Sequence, residues 1–471
     1  MPRLEAWLPD RPQHGPAPPR GTGGFPPRRV FRGMAVRRHS PSMGIEAVPW
    51  AVRRAAGTEP DREPEVLVVG AGPVGLFTAL LLHRRGVQVQ IVDQARRPAA
   101  RSYALLLHPG SLRLLDAAGL AGEALERGHA VDQVAFYEGP DRCAAVDLAA
   151  LGPPFACAAV LPQQALEGLL ESALEREGGR VLWRHRVSDL HLGGGAAVAV
   201  VERLALDSEA VEESWMLRPG VVIGTDGHQS AVRRALRASY VEIRPPERFA
   251  VFELAADGPA SREVRVVLDE EGAAVLVALG GNRFRWGFQI DESQWEELLE
   301  PRFKRRVFDT VGDDPFPYLA RQRLEELIAR RAPWFSRTLG EIVWSMAVRF
   351  EHRLTGRFGH ENAWLAGDAA HLACPIGGHS MNVGLREAAD LAHQLGRILR
   401  ERHPLDSLAG YEKARRSEWR RLLGARGHPE ANAAASGWVR RHAARIPACL
   451  PASGDDLDAL LRQIGLALPA A

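Results

Sequence analysis

The sequence predicts an α/β chain in which a parallel-sheet unit carries an antiparallel-sheet domain and a helical C-terminal part. Three observations predict it. Residues Glu65 to Val69 read as a buried strand, Val74 to Arg85 as a helix and Val87 to Val92 as a second strand, the spacing of a βαβ unit. From about Ala250 to Phe350 apolar and polar residues alternate, as in half-buried antiparallel strands. Beyond about Leu405 the chain is Arg-rich with helical periodicity.

Bulk properties set the frame. The 471 residues suffice for two to three domains, and 46% apolar with 25% charged residues is the balance of a globular protein. A net charge of +2 gives no general attraction to nucleic acid. Lys304 and Lys413 are the only lysines, an arginine bias that reads as genome composition rather than as a phosphate-binding design. Cys143, Cys157, Cys374 and Cys449 form no CxxC pair, so neither a metal site nor a disulfide framework is expected. With no secretory leader, this suits a reducing cytoplasm. The apolar stretch Val66 to Leu82 is short for a membrane span and is broken by Gly70, Gly72, Pro73 and Gly75. A strand, a turn and a packed helix account for it, and no other segment suggests a span.

The elements follow in order. Residues 1–62 are rich in Pro, Arg and Gly without apolar periodicity and are expected to be disordered. Within them Pro27 to Met34 (PRRVFRGM) has a twin-arginine look but no apolar region after it, and Met34 or Met43 are alternative starts. Helices are expected from about Ser111 to Ala118 and from Gln163 to Glu177, with strands beginning at Arg180 to Arg186 and a short buried strand at Val221 to Gly224. Val264 to Asp269, Ala274 to Leu279 and Arg283 to Ile290 are the antiparallel candidates, and a strand–loop–helix unit returns near Ala363. There are no internal repeats.

Three strand-end motifs carry the chemistry. Gly70-Ala71-Gly72-Pro73-Val74-Gly75 follows a buried strand and opens a helix, a Rossmann-type arrangement. Gly70 permits the tight turn, Gly72 lets backbone approach a pyrophosphate, and Gly75 lets helix and strand pack closely. The helix N-terminus offers free N–H groups and partial positive charge to phosphates. Asp93, eighteen residues past Gly75, ends the next strand, where a carboxylate accepts from both ribose hydroxyls and disfavours a 2′-phosphate. The second motif runs from Gly224 through Asp226, Gly227 and Ser230 to Arg233; by itself it is a turn and a helix capped by Ser230, or a loop that a nucleotide could approach. The third is Gly367-Asp368-Ala369-Ala370-His371, then Pro375-Ile376-Gly377-Gly378 and Met381-Asn382. There Asp368 could accept from a polyol chain, and N–H groups from Gly378 to Asn382 could offset negative charge on an electron-rich ring.

In this order the motifs resemble the class A flavoprotein monooxygenases, the group of para-hydroxybenzoate, phenol and polyketide hydroxylases. The resemblance covers about Glu65 to Leu408 and includes Arg101-Ser102-Tyr103-Ala104-Leu105 with His108-Pro109, and Leu161-Pro162-Gln163 with Glu167. It implies a Rossmann-type FAD-binding domain (GR2-like) over residues 63–240 and 351–405, a substrate domain over 241–350 and C-terminal helices over 406–471. It implies that Gly70, Gly72, Pro73, Val74, Gly75, Asp93 and Gln94 hold the ADP half of FAD, with Arg101 and Gln163 as further contacts. Asp226 and Gly227 resemble the pair that serves both FAD and NAD(P)H. Gly367 and Asp368 would meet the ribityl chain, Pro375 would line the flavin ring, and Gly378, Ser380, Met381 and Asn382 would cover its pyrimidine edge. The implied reaction uses NADPH or NADH as reductant and O2, and hydroxylates a small aromatic substrate through a flavin C4a-hydroperoxide. No side chain is singled out as catalytic, and no metal, nucleic acid or oligomeric state is assigned.

The chain departs from the family pattern at His379-Ser380, where Gln-Gly is usual, and at Arg386-Glu387, where Gln-Asp is usual. His379 is read as a solvent-facing variation of a helix cap, the alternative being an effect on the flavin. His371 is read as packing at least as readily as catalytic, and Cys374 as a small buried residue. Trp286, Phe288, Trp344 and Phe350 are candidates for a planar-ligand pocket or for core. A reductase or dehydrogenase without oxygen insertion, and a non-catalytic flavin sensor, stay open as alternatives; a halogenase is disfavoured because no WxWxIP segment occurs.

Overall fold

The computed structural model describes residues 63–96, 104–298, 319–425 and 427–469. The expected disordered extension, residues 1–62, and Arg101 lie outside them. Val66–Val69 is the buried strand that the apolar run predicts, and Pro73–His83 is the helix after it. Val66–Val69 sits inside a six-stranded sheet, flanked in parallel by Val89–Asp93 on one side and Val221–Gly224 on the other. Val181–Trp183 extends the first side and Ala363–Leu365 the second, both parallel. Such a strand is covered on both faces, and this is why it reads as an unbroken apolar run. Helices Pro73–His83 and His379–Glu401 pack together. At their contact, a Cβ added to Gly384 would come within 2.6 Å of Val74 Cγ2, so only glycine allows the approach.

An eight-stranded sheet forms the second layer. Its order is His371–Leu372, Leu339–Thr355, Tyr240–Ala256, Arg283–Ile290, Gly272–Gly280, Glu263–Asp269, Gln133–Glu138 and Asp141–Asp147. The three antiparallel segments expected from sequence are present within it. The two 17-residue strands Tyr240–Ala256 and Leu339–Thr355 are longer than the alternation suggested. Their register shifts between Glu242 and Arg244 and between Arg244 and Glu247, next to Pro245-Pro246, and such bulges break the period-two pattern. The hairpin Gln133–Asp147 joins this sheet through a parallel pairing with Glu263–Asp269, although it comes from the 63–240 stretch.

Side chains alternate across this sheet. Phe252, Trp286 and Phe288 point to one face, where they pack with Leu324, Leu327 and Phe335 around the helix Arg321–Arg331. Trp286 stacks on Phe288 with ring centroids 4.9 Å apart. The opposite face looks toward the parallel-sheet layer. Arg331 pins the helix to the sheet: Nε and Nη2 each donate to Asp269 at 2.9 Å and Nη1 donates to Gln289 O at 3.0 Å.

After residue 405 come the helices Ala409–Leu422, Gly437–His442 and Asp455–Gln463, as expected. A short antiparallel pairing of Glu430–Ala431 with Leu466–Ala467, unforeseen in sequence, ties the end of the chain back. Among the described residues no helix is long and apolar enough to cross a membrane.

Arg331 is 1% exposed, so removing its guanidinium leaves Asp269 without its partner under the sheet. Arg331→Ala is expected to lower the unfolding free energy by about 3–5 kcal/mol, read from urea midpoints at neutral pH.

Candidate functional site

The three motifs meet at the C-terminal ends of neighbouring parallel strands, where open α/β sheets bind ligands. Gly70 has φ +102°, and a Cβ there would lie 2.4 Å from Thr225 O. Thr225 Oγ1 donates to both Val69 O and Gly70 O at 2.9 Å. A Cβ on Gly75 would lie 1.9 Å from Gly70 O, so this glycine allows the helix to start against the strand. Gly72 differs: nothing lies within 4 Å of the place its Cβ would take. It is the N-cap of Pro73–His83, and no side chain caps that helix. Open space in front of uncapped N–H groups is what an anionic group such as a pyrophosphate requires. Pro73 and Val74 are buried behind the turn. Asp93 Oδ2 accepts from Ala71 N and Oδ1 from Ala95 N, both at 2.7 Å, so the acid braces the glycine loop; Gln94 beside it is exposed.

The second motif is a capped turn as well as a strand-end loop. Ser230 Oγ accepts from Arg233 N at 2.9 Å, the expected cap, and Asp226 Oδ2 accepts from Ala231 N at 2.6 Å. Burial raises the Asp226 carboxyl above its ordinary range, against the hydrogen bonds it accepts. Gly227 takes φ +71°. Arg233, the last residue of the second motif, to which the sequence assigns no role of its own, joins this loop to the third motif. Its Nη2 donates to His228 O at 2.5 Å and its Nη1 to Ala369 O at 2.8 Å. Its guanidinium lies 3.9 Å from the ring centre of Tyr240, whose hydroxyl donates to Asp368 O at 3.0 Å. Nothing local in sequence marks Tyr240.

The third motif is held from behind by Glu387, which is fully buried. Gly367 N donates to its Oε2 at 2.8 Å, His371 Nε2 lies 2.8 Å from the same oxygen, and Trp419 Nε1 donates to Oε1 at 2.9 Å. The His371 ring stacks on Trp419 with centroids 3.8 Å apart. Burial alone would raise the Glu387 carboxyl; His371, the Gly367 N–H and Arg415 outweigh it and hold the group below its ordinary range. His371 is therefore a packing and pairing residue, one of its two expected readings. Cys374 is buried, and burial with Glu247 nearby pushes its thiol well up, consistent with a small inert core residue.

Between the two layers lies a cavity of about 350 Å³. Its floor is made by Gln163, Asp368, Pro375, Gly378, Ser380 and Met381, so residues singled out from three separate segments come together. Its roof is mostly apolar: Phe249, Val251, Val277, Trp344, Met346 and Phe350 face down from the eight-stranded sheet, together with one charged residue, Arg285, whose Nη2 donates to Glu253 at 2.8 Å. Trp344 and Phe350 thus line the pocket, whereas Trp286 and Phe288 point to the other face and fill core, because alternate residues of a strand face opposite ways. Gln163 Nε2 donates to Glu167 at 2.7 Å. Ser380 Oγ donates to Asp368 Oδ1 at 2.7 Å. Gly378, with φ +70°, is the left-handed N-cap of His379–Glu401, and no side chain caps this helix either.

One residue departs from its expectation, and another is committed to its neighbours. His379 is not a solvent-facing cap: it is 5% exposed, with Nε2 3.0 Å from Ala452 O, because the C-terminal segment covers this helix end. Burial lowers it to about 4, so the ring is neutral at ordinary pH. Asn382 does not line the cavity; its amide accepts from His108 N at 2.8 Å and donates to Leu106 O at 2.7 Å, locking the strand Ala104–Leu107 to the helix.

A floor with polar side chains and an uncapped helix N-terminus under a mostly apolar roof can seat a flat group, stabilise negative charge on its edge and limit water above it. The Glu387 cluster carries a pH signature. A carboxyl whose folded value is depressed contributes stability that is complete above its unfolded value, about 4.3, and is lost as pH falls through the lower folded value. Glu387→Ala is expected to cost about 3–5 kcal/mol at pH 7 and to flatten the acid limb of the urea-stability profile relative to wild type.

Comparison with known proteins adds to this geometry. A sequence model of the family described as FAD binding domain matches residues 63–424. An FAD-dependent monooxygenase of Aspergillus terreus is 26% identical over 374 residues, covering 76% of this chain and 51% of that protein. The 6-methylpretetramide 4-monooxygenase of Streptomyces rimosus is 27% identical over 343 residues, covering 72% of this chain and 56% of its own length. The chain thus spans little more than half the length of these curated relatives. A crystal structure of aklavinone-11 hydroxylase in ternary complex with FAD and aklavinone shares the fold, with a TM-score of 0.59 and 24% identity over 78% of this chain and 67% of that one.

Proposed function

From the premise that this chain belongs to the FAD binding domain family, whose match spans residues 63–424, we propose that it is an FAD-dependent monooxygenase that hydroxylates a flat aromatic or polyketide-like small molecule, with NADPH or NADH as reductant and O2 as co-substrate. The observation that carries this reading is the cavity that joins the floor of Gln163, Asp368, Pro375 and Gly378 to the aromatic roof residues Phe249, Trp344 and Phe350. Its volume of about 350 Å³ suits a small ligand. Relatives named as aromatic and polyketide monooxygenases support the reaction class.

The residues present fit FAD. The space in front of Gly72 and the uncapped helix behind it would take the pyrophosphate, and Asp93 the ribose of the ADP half. Gly70, Gly75, Pro73 and Val74 shape that turn, while Gln94 and Asp226-Gly227 flank it. Gly367 and Asp368 would meet the ribityl chain opposite Gln163, with Ser380 fixing the Asp368 carboxylate. Pro375, Gly378 and Met381 would border the ring, and the N-terminus of His379–Glu401 would offset the negative charge of its reduced form. Bound flavin would supply the electron transfer and oxygen activation. The chain's own part is orientation of the substrate between Pro375 and Trp344, and exclusion of water by the roof. We assign the cofactor half to residues 63–240 and 351–405, with the hairpin Gln133–Asp147 lent to the roof of the 241–350 part, and 406–471 to C-terminal helices. Four unpaired cysteines suit a reducing compartment such as the cytoplasm.

Purified protein should be yellow, and an aerobic screen of phenols and polycyclic aromatics should find one that accelerates NAD(P)H consumption and gains one oxygen by mass spectrometry. Nicotinamide oxidation with no oxygenated product across the screen would contradict the monooxygenase reading. Asp93→Ala should weaken FAD binding about 10–100-fold, the loss of charge-assisted hydrogen bonds, measured by fluorescence titration.

A further inference from the structure

The family match ends at residue 424, yet the chain beyond it packs against the back of the turn that carries the cavity floor. A Cβ added to Gly377 would lie 2.5 Å from Ala448 O, so the turn Ile446–Cys449 sits directly on the Gly377 backbone. His379 Nε2 lies 3.0 Å from Ala452 O. The carbonyl can only accept, so Nε2 carries the proton. The His379 ring meets His108 edge-on at 5.5 Å, and His108 Nε2 lies 2.6 Å from Gly377 O. One residue further, Arg386 Nη2 donates to Ser453 Oγ at 2.8 Å, and Arg113 pairs with Asp456. Ile446, Leu450, Leu457 and Leu460 anchor the same segment in the core that it shares with the roof sheet.

His379 stands at the centre of these contacts. It occupies a position where the family pattern has a glutamine, and it touches the tail on one side and the glycine turn, through His108, on the other. The residues on either side of it, Gly378 and Ser380, line the cavity. We propose that His379 is a positioning residue that clamps the tail segment 446–456 onto the Gly377–Ser380 turn and so fixes the floor on which the flavin rests. This rests on the FAD reading above. Linkage is reciprocal: if the tail holds the turn in the FAD-binding geometry, FAD must in turn tighten the tail.

Hydrogen exchange of the full chain, read by mass spectrometry with and without FAD, tests this. In wild type, FAD is expected to slow exchange at 446–456 as well as at 66–75 and 366–382. His379→Ala should lose the protection at 446–456, weaken FAD about 10-fold, the worth of one buried hydrogen bond, and change the visible flavin spectrum. His379→Gln, which keeps an N–H donor, should recover part of the protection and affinity. If wild type binds FAD but exchange at 446–456 is unchanged, this inference falls while the FAD reading stands; if wild type takes up no FAD, both fall. The wild-type comparison needs no variant to fold. A folded His379→Ala protein with wild-type FAD affinity and spectrum would also overturn the proposal.

Discussion

The site depends on one close contact: the loops that leave two neighbouring parallel strands touch backbone to backbone, Gly70 against Thr225. No residue larger than glycine fits there, and the Thr225 hydroxyl seals the contact by bonding Val69 O and Gly70 O. This contact fixes where the helix Pro73–His83 begins, and hence where its uncapped N–H groups point. The third loop is placed relative to the first by Gly367 and Gly384, both packed against Val74. Glycine serves here as a spacer between elements, and Gly72 alone of the first three leaves room for a ligand.

Polar side chains then lock the loops to each other. Arg233 bridges the second and third loops through two carbonyls, and Glu387 holds the third from beneath with all its partners buried. A charge buried at this depth is tolerated only when it is fully hydrogen-bonded, and each of these groups accordingly ties two or more elements at once. The roof contributes the complementary property. Alternation along its strands sends Trp286 and Phe288 into one core and Trp344, Phe350 and Arg285 toward the cavity, so one sheet both packs against a helix and presents a ceiling that is apolar apart from Arg285.

Much of this was legible in the sequence because it is local. Strand, glycine turn and helix follow one another within about twenty residues, and the three motifs could be placed at strand ends before their meeting was visible. Gln163, Asp368, Pro375, Ser380 and Met381 were singled out from separate segments and share one cavity. What stayed hidden is long-range. The burial of His379 depends on Ala452, more than seventy residues away, so its neighbourhood in sequence suggested an exposed cap. Tyr240 reaches Asp368, and Trp419 reaches Glu387, with no periodic signal. The hairpin Gln133–Asp147 joins the roof by a parallel pairing that no local pattern announces, and the bulges beside Pro245-Pro246 disguise a 17-residue strand.

In the proposed function these three glycine-bearing loops converge to hold a single dinucleotide flavin. Calorimetric titration of flavin-stripped protein with FAD measures it most directly. Saturable binding of one FAD per chain is expected, abolished when Gly70 is replaced by valine in a variant that still folds. A folded wild-type protein that shows no heat of binding and stays colourless, or a Gly70→Val protein that binds FAD as tightly as wild type, would contradict it.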